Sequence, residues 1–336
     1  MPTTTEKSIK RKISSVVELL KTCAKRKDLC EGAKLHADIL DECLLEKSPY
    51  IPSTLIHMYA KCGELGKAKE VLQDLHDRDV VSWNVLITGY IEHGWNEDAL
   101  RLYDKMKYED IVPNSITFLC CLKACTSIRD IEKGQEIHSE IGRRGMMESN
   151  LSLGSAMVDM YSKCGSMKDA WKVFITIPIK TDVCFNAMII GCAQLGCAED
   201  SLKLFWDMES KHVTRTLITY VGALKACSIL GNLEKGKQIH ESFLNSGMKA
   251  NLILRNALVD MFAKCGSITN ARKVFDEMPE RDVISWNALI NGYNGKGYFQ
   301  DAISCLNMMD HEIAVATSIT FVGGLKACSG IHDFQK

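Results

Sequence analysis

Apolar residues recur every three or four positions through most of the chain, the spacing that lines one face of an α-helix. Leu55, Met58, Tyr59 and Cys62 stand at i, i+3, i+4 and i+7. The same stripe returns as Met157, Met160, Tyr161 and Cys164, and again as Leu258, Met261, Phe262 and Cys265. Each is followed by a glycine, Gly63, Gly165 or Gly266, a residue able to take the left-handed conformation that ends a helix. A second pattern runs Trp83, Leu86, Ile87, Tyr90, is interrupted at Gly94, and resumes as Ala99, Leu102, Tyr103, Met106 before Pro113. The pattern predicts paired amphipathic helices throughout and no strands.

The helices belong to a tandem array. Tyr59-Ala60-Lys61-Cys62-Gly63 reappears as Tyr161-Ser162-Lys163-Cys164-Gly165 and Phe262-Ala263-Lys264-Cys265-Gly266. Leu20-Lys21-Thr22-Cys23 returns at 122–125, 224–227 and 325–328 with the same period. That period is too long for one helical hairpin of about 34 residues and suits three. The cuts fall into long, short and standard segments: 13–48, 49–79 and 80–114; then 115–150, 151–181 and 182–216; then 217–251, 252–282 and 283–317. A partial long segment, 318–336, follows, and residues 1–12 read as a basic tail ahead of the array.

With 336 residues, 46% hydrophobic and 25% charged, the chain can bury a large core, and no apolar run approaches the roughly 20 residues of a membrane span. A formal net charge of −1 gives no bulk attraction to a polyanion, so a nucleic-acid site must be a local groove. Fifteen cysteines, an odd number in a long chain without a secretory signal, argue for a reduced compartment. Seven of them, Cys23, Cys125, Cys227, Cys328, Cys62, Cys164 and Cys265, recur at equivalent positions, where a small apolar side chain suits close helix packing. No C-x-x-C pair occurs, so no metal site is expected.

The long, short and standard alternation, the Lys-Cys-Gly turn, Gly-x-x-Ile/Leu-His in the long segments and Val81-Ser82-Trp83-Asn84 opening the first standard segment together resemble the pentatricopeptide repeat family. The resemblance is to the plant-type subclass built from long, short and standard repeats, and it spans residues 13 to 336. Tetratricopeptide arrays, the obvious competitor, have uniform units of about 34 residues with a Trp…Leu-Gly…Tyr pattern. This chain has neither property.

The resemblance implies an all-α, right-handed solenoid of helix-turn-helix repeats that binds single-stranded RNA at roughly one base per repeat. It further implies that the fifth and last residues of each short and standard repeat read the bases. Those residues are Ser53 with Asp79, Asn84 with Asn114, Ser155 with Thr181, Asn186 with Thr216, Asn256 with Asp282, and Asn287 with Thr317. An ionised Asp only accepts hydrogen bonds and suits the ring N–H of guanine or uracil, whereas Asn can donate to the ring nitrogen of adenine or cytosine. A short Ser leaves room for a purine; a longer Asn reaches a pyrimidine. The array then asks for guanine at Ser53/Asp79, cytosine with uracil as second choice at Asn84/Asn114, and uracil at Asn256/Asp282. Thr181, Thr216 and Thr317 depart from the family's usual Asp or Asn, leaving a purine at Ser155 and an unspecified pyrimidine at Asn186 and Asn287. Val17, Leu119 and Val221 hold the fifth position of the long repeats and cannot hydrogen-bond a base. By the same resemblance Val81, Val183 and Ile284 are apolar wedges between neighbouring bases, and Lys61, Lys163 and Lys264 contact phosphate. For these lysines a solvated helix end is the alternative.

Family members with this repeat order often end in a cytidine deaminase domain, whose zinc site needs H-x-E followed by P-C-x-x-C. His138-Ser139-Glu140 matches the first half, but none of the six prolines precedes a cysteine. His138 is also the equivalent of His36 and His240, which makes it a structural residue of the long repeat. No catalytic residues, cofactor or metal are expected. The resemblance implies a monomeric adaptor that recognises sites for C-to-U editing or related processing of organelle transcripts, in mitochondria or chloroplasts, with a deaminase or other editing-complex protein acting in trans. Lys7, Lys10, Arg11 and Lys12 with Thr3, Thr4 and Thr5 resemble a fragment of a transit peptide. The alternatives are a scaffold that binds a protein segment, or a truncated piece of a longer editing factor, the latter suggested by a last long repeat that stops before its second helix.

Overall fold

The computed structural model describes residues 4–45, 47–311 and 315–334, and these form helices joined by short turns. They fall into two compact units, Met1–Cys164 and Gly165–Lys336. In the first unit the hairpins are α1 (Thr4–Arg26) with α2 (Leu29–Asp41), α3 (Tyr50–Lys61) with α4 (Leu65–Asp74), α5 (Val80–Glu92) with α6 (Asn96–Tyr108), and α7 (Ser115–Ile128) with α8 (Ile131–Arg143). A single turn, α9 (Met146–Ser149), then leads to α10 (Leu151–Lys163). The second unit opens with α11 (Met167–Thr176). Its hairpins are α12 (Asp182–Gln194) with α13 (Ala198–Ser210), α14 (Leu217–Leu230) with α15 (Leu233–Asn245), α16 (Leu252–Lys264) with α17 (Ile268–Asp276), and α18 (Val283–Gly295) with α19 (Phe299–His311). It closes with α20 (Ser318–Phe334). Among the described residues there is no strand, in keeping with the predicted all-α class.

Within each unit the first helices of successive hairpins pack side by side, α1 on α3, α3 on α5, α5 on α7 and α7 on α10, and likewise α12, α14, α16, α18 and α20. Each unit is thus a solenoid segment with one continuous layer of first helices. Because a first helix is flanked on both sides, it is buried over most of its circumference: in α12 Cys184 through Ile189 are all covered. Trp83, Tyr103 and Phe118 fill the core of the first unit and Phe185, Phe205, Phe275 and Trp286 that of the second.

First helices begin beside an N-cap, and for α5, α7, α10, α12, α14, α16 and α18 that residue is Asp79, Asn114, Asn150, Thr181, Thr216, Asn251 or Asp282, whereas α1 starts at Thr4 and the N-cap of α3 is Pro49. Asp79 accepts from the Ser82 amide (2.8 Å), Asn251 from Leu254 (2.9 Å), and Asp282 from Ser285 (2.9 Å). Gly63, Gly165 and Gly266 end their helices at φ of 88°, 88° and 85°, as the pattern required.

The glycine of Gly-x-x-Ile/Leu-His has a packing role. A Cβ on Gly32, Gly134 or Gly236 would collide with the thioether of Met58, Met160 or Met261. The repeated cysteines pack as expected: the Cys265 thiol lies 3.5 Å from the Cys227 carbonyl, and Cys125 and Cys227 are fully buried, whereas Cys328 is exposed. The basic stretch ahead of the array is not a separate tail: helix α1 begins at Thr4 and runs through Ile13 without a break. No glycine or proline lies between Thr4 and Arg26 to stop it. Residues 1–3 and the final two, Gln335 and Lys336, lie outside the described residues.

Candidate nucleic-acid interface

The fifth residue of a standard or short repeat lies just past the first turn of a first helix, and the last residue stands at the start of the first helix that follows. Consecutive first helices are packed together, so the two side chains meet. Asn84 Nδ2 donates to Asn114 Oδ1 (3.0 Å), Asn186 Nδ2 to Thr216 Oγ1 (3.2 Å), Asn256 Nδ2 to Asp282 Oδ1 (3.0 Å), and Asn287 Nδ2 to Thr317 Oγ1 (3.4 Å). The four asparagines are buried. Four of the six expected pairs are therefore assembled by the fold.

The two serine pairs differ. Ser53 donates back to the Tyr50 carbonyl (3.3 Å) and Ser155 is 3.3 Å from the Leu151 carbonyl, as short hydroxyls in a helix do. Asp79 acts as the N-cap of α5. Thr181, in the second unit, caps α12 and accepts from the Cys184 amide (3.4 Å).

Hydrogen-bond capacity decides what each assembled pair can offer a ligand. An Asn amide has two N–H groups, and in Asn84, Asn186 and Asn256 one is given to the last residue, leaving one for a ligand. Asn114 Oδ1 is occupied by the Ile116 and Thr117 amides (3.0 and 3.1 Å) as well as by Asn84, so its own amide nitrogen is the group left to act. Asn84/Asn114 is a pair of donors. Asp282 carries the opposite polarity. Burial alone would raise its pKa, but hydrogen bonds from the Ser285 and Ile284 amides and the Asn256 side chain outweigh it and hold the carboxyl below its ordinary value. Ionised, it only accepts, so Asn256/Asp282 presents one donor and one acceptor. Thr216 and Thr317 carry hydroxyls that serve either way.

A slot of about 230 Å³ opens over the first of these pairs. Asn84 and Asn114 line it, and so do Val81 and Ile116, the second residues of consecutive first helices. Val81, Val183 and Ile284 are 50%, 54% and 60% exposed, unusual for branched aliphatics in a protein that buries so many others. The second position is equally aliphatic and exposed at Ile116 in the first unit and at Ile218 and Ile253 in the second, in long and short repeats that the family resemblance did not single out. The signal was available in the sequence: an aliphatic residue stands two positions after Asp79, Asn114, Thr181, Thr216, Asn251 and Asp282, though Ser152 holds that place after Asn150.

Lys61, Lys163 and Lys264 end their helices as expected, and each is paired with a carboxylate. Lys61 bonds Glu92 (2.7 Å), Lys163 bonds Asp159 (2.9 Å), and Lys264 bonds Asp260 (2.9 Å). Such exposed pairs are worth about 0–1 kcal/mol, so a competing anion can displace the carboxylate at little cost. His138 faces Tyr161 edge-on, with Nδ1 2.9 Å from the phenol oxygen, and His36 does the same with Tyr59. Glu140 accepts from Tyr103 (2.8 Å) and Arg144 (2.7 Å). The H-x-E pattern is thus built into helix packing. Among the described residues no cluster of His, Cys, Asp and Glu could hold a metal ion.

Stacked helical hairpins with a recurring polar pair between exposed aliphatic wedges define a helical-repeat protein of the solenoid class. The chain belongs to the pentatricopeptide repeat family: it matches the PPR repeat family over residues 78–127 and the PPR repeat over 51–80, 155–177, 183–213, 254–283 and 284–312. Its relatives include a chloroplastic pentatricopeptide repeat-containing protein of Arabidopsis thaliana, 32% identical across 95% of this chain and 51% of the relative. A putative mitochondrial one from the same plant is 34% identical across 93% and 49%. Chloroplastic CRR2, also from A. thaliana, is 35% identical across 93% and 48%. The chain spans about half the length of these curated relatives. The crystal structure of the pentatricopeptide repeat protein PPR10 in complex with an 18-nucleotide psaJ RNA element has the same fold, with a TM-score of 0.74 over 88% of this chain and 45% of that one at 18% identity.

Proposed function

We propose that this chain is a sequence-specific single-stranded RNA-binding module of the long/short/standard subclass, serving transcript processing in mitochondria or chloroplasts. The observation that carries the reading is the repeated unit itself: a buried Asn bonded to the last residue of its repeat, next to an exposed aliphatic at the second position. A nucleobase has an apolar face and a hydrogen-bonding edge, and the slot between Val81 and Ile116 offers walls for one and Asn84 with Asn114 for the other. The RNA complex formed by PPR10, which shares the fold, and the chloroplastic and mitochondrial names of the relatives support the same reading.

On this reading the donor pair Asn84/Asn114 takes cytosine, whose ring nitrogen and carbonyl both accept. Asn256/Asp282 takes uracil, which needs an acceptor for its N–H and a donor for a carbonyl. Asn186/Thr216 and Asn287/Thr317 take either pyrimidine, and Ser53/Asp79 takes guanine. Lys61, Lys163 and Lys264 exchange their carboxylate partners for phosphate. The module recognises the site of C-to-U editing, and a deaminase or editing-complex protein supplies the chemistry in trans.

Selection of bound RNAs from a random single-stranded pool tests the proposal. It should enrich cytosine and, at a fixed spacing from it, uracil, with affinity falling as salt rises because phosphate contacts release counterions. A pool that emerges unenriched, or binding indifferent to salt, would overturn the reading in favour of a protein-binding scaffold.

A further inference from the structure

The carboxamide of Asn84 can present either its oxygen or its nitrogen to a ligand, and the two ends have opposite polarity. A residue from the next repeat removes that choice. Thr117, in the first turn of α7, places its hydroxyl 2.6 Å from Asn84 Oδ1 and donates to it. The same hydroxyl oxygen accepts from the Asn114 backbone amide (3.1 Å), and of its two nearby acceptors, Asn84 Oδ1 at 2.6 Å and Asn114 Oδ1 at 3.2 Å, the much shorter contact takes its single proton. With Oδ1 occupied, Nδ2 must face Asn114 and the slot.

The arrangement recurs at two more sites. Thr219 Oγ1 donates to Asn186 Oδ1 (2.6 Å) and accepts from the Thr216 amide (2.9 Å). Ser285 Oγ donates to Asn256 Oδ1 (2.6 Å) and accepts from the Asp282 amide (3.1 Å). Thr117, Thr219 and Ser285 are all fully buried, whereas ordinary threonines and serines are mostly exposed. At the fourth site the equivalent Thr320 lies 3.2 Å from Thr317 Oγ1 and is bonded to the Thr317 amide, while Asn287 Oδ1 is buried without a partner.

We propose that Thr117, Thr219 and Ser285 are positioning residues for base recognition: each hydroxyl latches the fifth-position asparagine so that only its N–H donor faces the nucleobase. The base-contacting unit is then a triad drawn from two repeats, the fifth residue, the last residue, and the third residue of the following repeat. The inference rests on the reading of Asn84, Asn186 and Asn256 as base-facing residues. Without the latch an asparagine can turn over and pair with a donor or an acceptor alike, so the discrimination between cytosine and uracil collapses even though the asparagine is still present.

The test is Thr117→Val, which keeps the shape and removes the hydroxyl, compared with Thr117→Ser, which restores it. Thr219→Val serves as an independent second variant in the other unit. Each protein is titrated with four short RNAs that differ only at the nucleotide facing Asn84, and with a second set varied at the nucleotide facing Asn256. The wild type should favour cytosine over uracil at the first nucleotide by about tenfold. Thr117→Val should bring that ratio to within about twofold, Thr117→Ser should recover it, and the preference at the Asn256 nucleotide should stay unchanged in both. Thr219→Val, titrated with a third set varied at the nucleotide facing Asn186, should weaken both pyrimidines at that nucleotide alone, because the carbonyl they share loses its fixed N–H donor. If Thr117→Val weakens all four RNAs in proportion and leaves the ratio intact, the hydroxyl only caps α7 and the latch is refuted while base reading stands. If the wild type itself shows no preference at this nucleotide, base reading by Asn84 fails and the latch falls with it.

Discussion

Asp282 does two jobs, and one substitution separates them. As N-cap of α18 it accepts from the Ser285 amide at 2.9 Å and from Asn256 Nδ2 at 3.0 Å. An asparagine at this position keeps an amide oxygen for those two donors, and Asn and Asp are equally good N-caps. What Asp282→Asn loses in stability is the attraction of a negative charge to the helix N-terminus, about 0.3–1 kcal/mol. What it changes at the base is larger. The group facing the ligand turns from an acceptor into a donor, which suits cytosine and opposes the N–H of uracil. A correctly matched base edge is worth about 1–3 kcal/mol of discrimination. The uracil-to-cytosine ratio should therefore move by about tenfold or more, since 1.4 kcal/mol is a factor of ten. Fluorescence anisotropy with RNAs varied at that one nucleotide measures the ratio, and thermal unfolding measures the cap. Asp282→Ala, which removes the cap as well, should cost about 0.5–2 kcal/mol of stability and lose preference without reversing it. Proportional weakening of all four RNAs by Asp282→Asn would refute the reasoning, because it would mean that the carboxylate acts through the helix and not on the base.

Three further outcomes follow from the same geometry. Hydrogen bonds outweigh burial in holding the Asp282 pKa below its ordinary value, so the stability it contributes is fully present above the unfolded pKa of about 3.9 and is lost only as pH falls through the lower folded value. Uracil preference should accordingly persist on acidification to below about pH 4, which a binding titration with an NMR titration of the carboxyl checks. Glu140→Gln should destabilise the first unit by about 1–3 kcal/mol, because the buried Tyr103 hydroxyl and Arg144 lose a charged acceptor, while base preference at the Asn84 nucleotide is unmoved. Burial would raise the Glu140 pKa, but the Tyr103 and Arg144 hydrogen bonds and the Lys107 charge pull it down, so this contribution too disappears only at acid pH. Gly142→Ala, at an open helical site, should stabilise by about 0.5–1 kcal/mol in a denaturant titration, whereas Gly236→Ala should lose that gain, since its Cβ must displace the Met261 thioether.

The fold was legible because one rule sets both period and boundary. Every last residue of a repeat, Ser48, Asp79, Asn114, Asn150, Thr181, Thr216, Asn251, Asp282 and Thr317, belongs to the small set of side chains that cap a helix. The apolar stripes then fill in the helices. Local pairs such as Lys163 with Asp159 and Lys264 with Asp260 were visible as i,i+4 neighbours. Lys61 breaks with its equivalents by reaching Glu92 in the next repeat, which no local spacing announces. The hydroxyl on Asn84 was likewise hidden: Thr117 looks like an ordinary third residue of a capped helix until the packing of α5 on α7 brings it within 2.6 Å. Capping also bears on what a base code can be. If the last residue must first satisfy a helix, recognition has to work within Asp, Asn, Ser and Thr, and only Asp and Asn keep a second atom of fixed polarity once the cap is made. Thr216 and Thr317 carry one polar side-chain atom each, a hydroxyl already 3.2 Å from that of Thr219 or Thr320, and it donates or accepts with equal ease. Poor discrimination at those two sites then follows from the lack of an atom of fixed polarity.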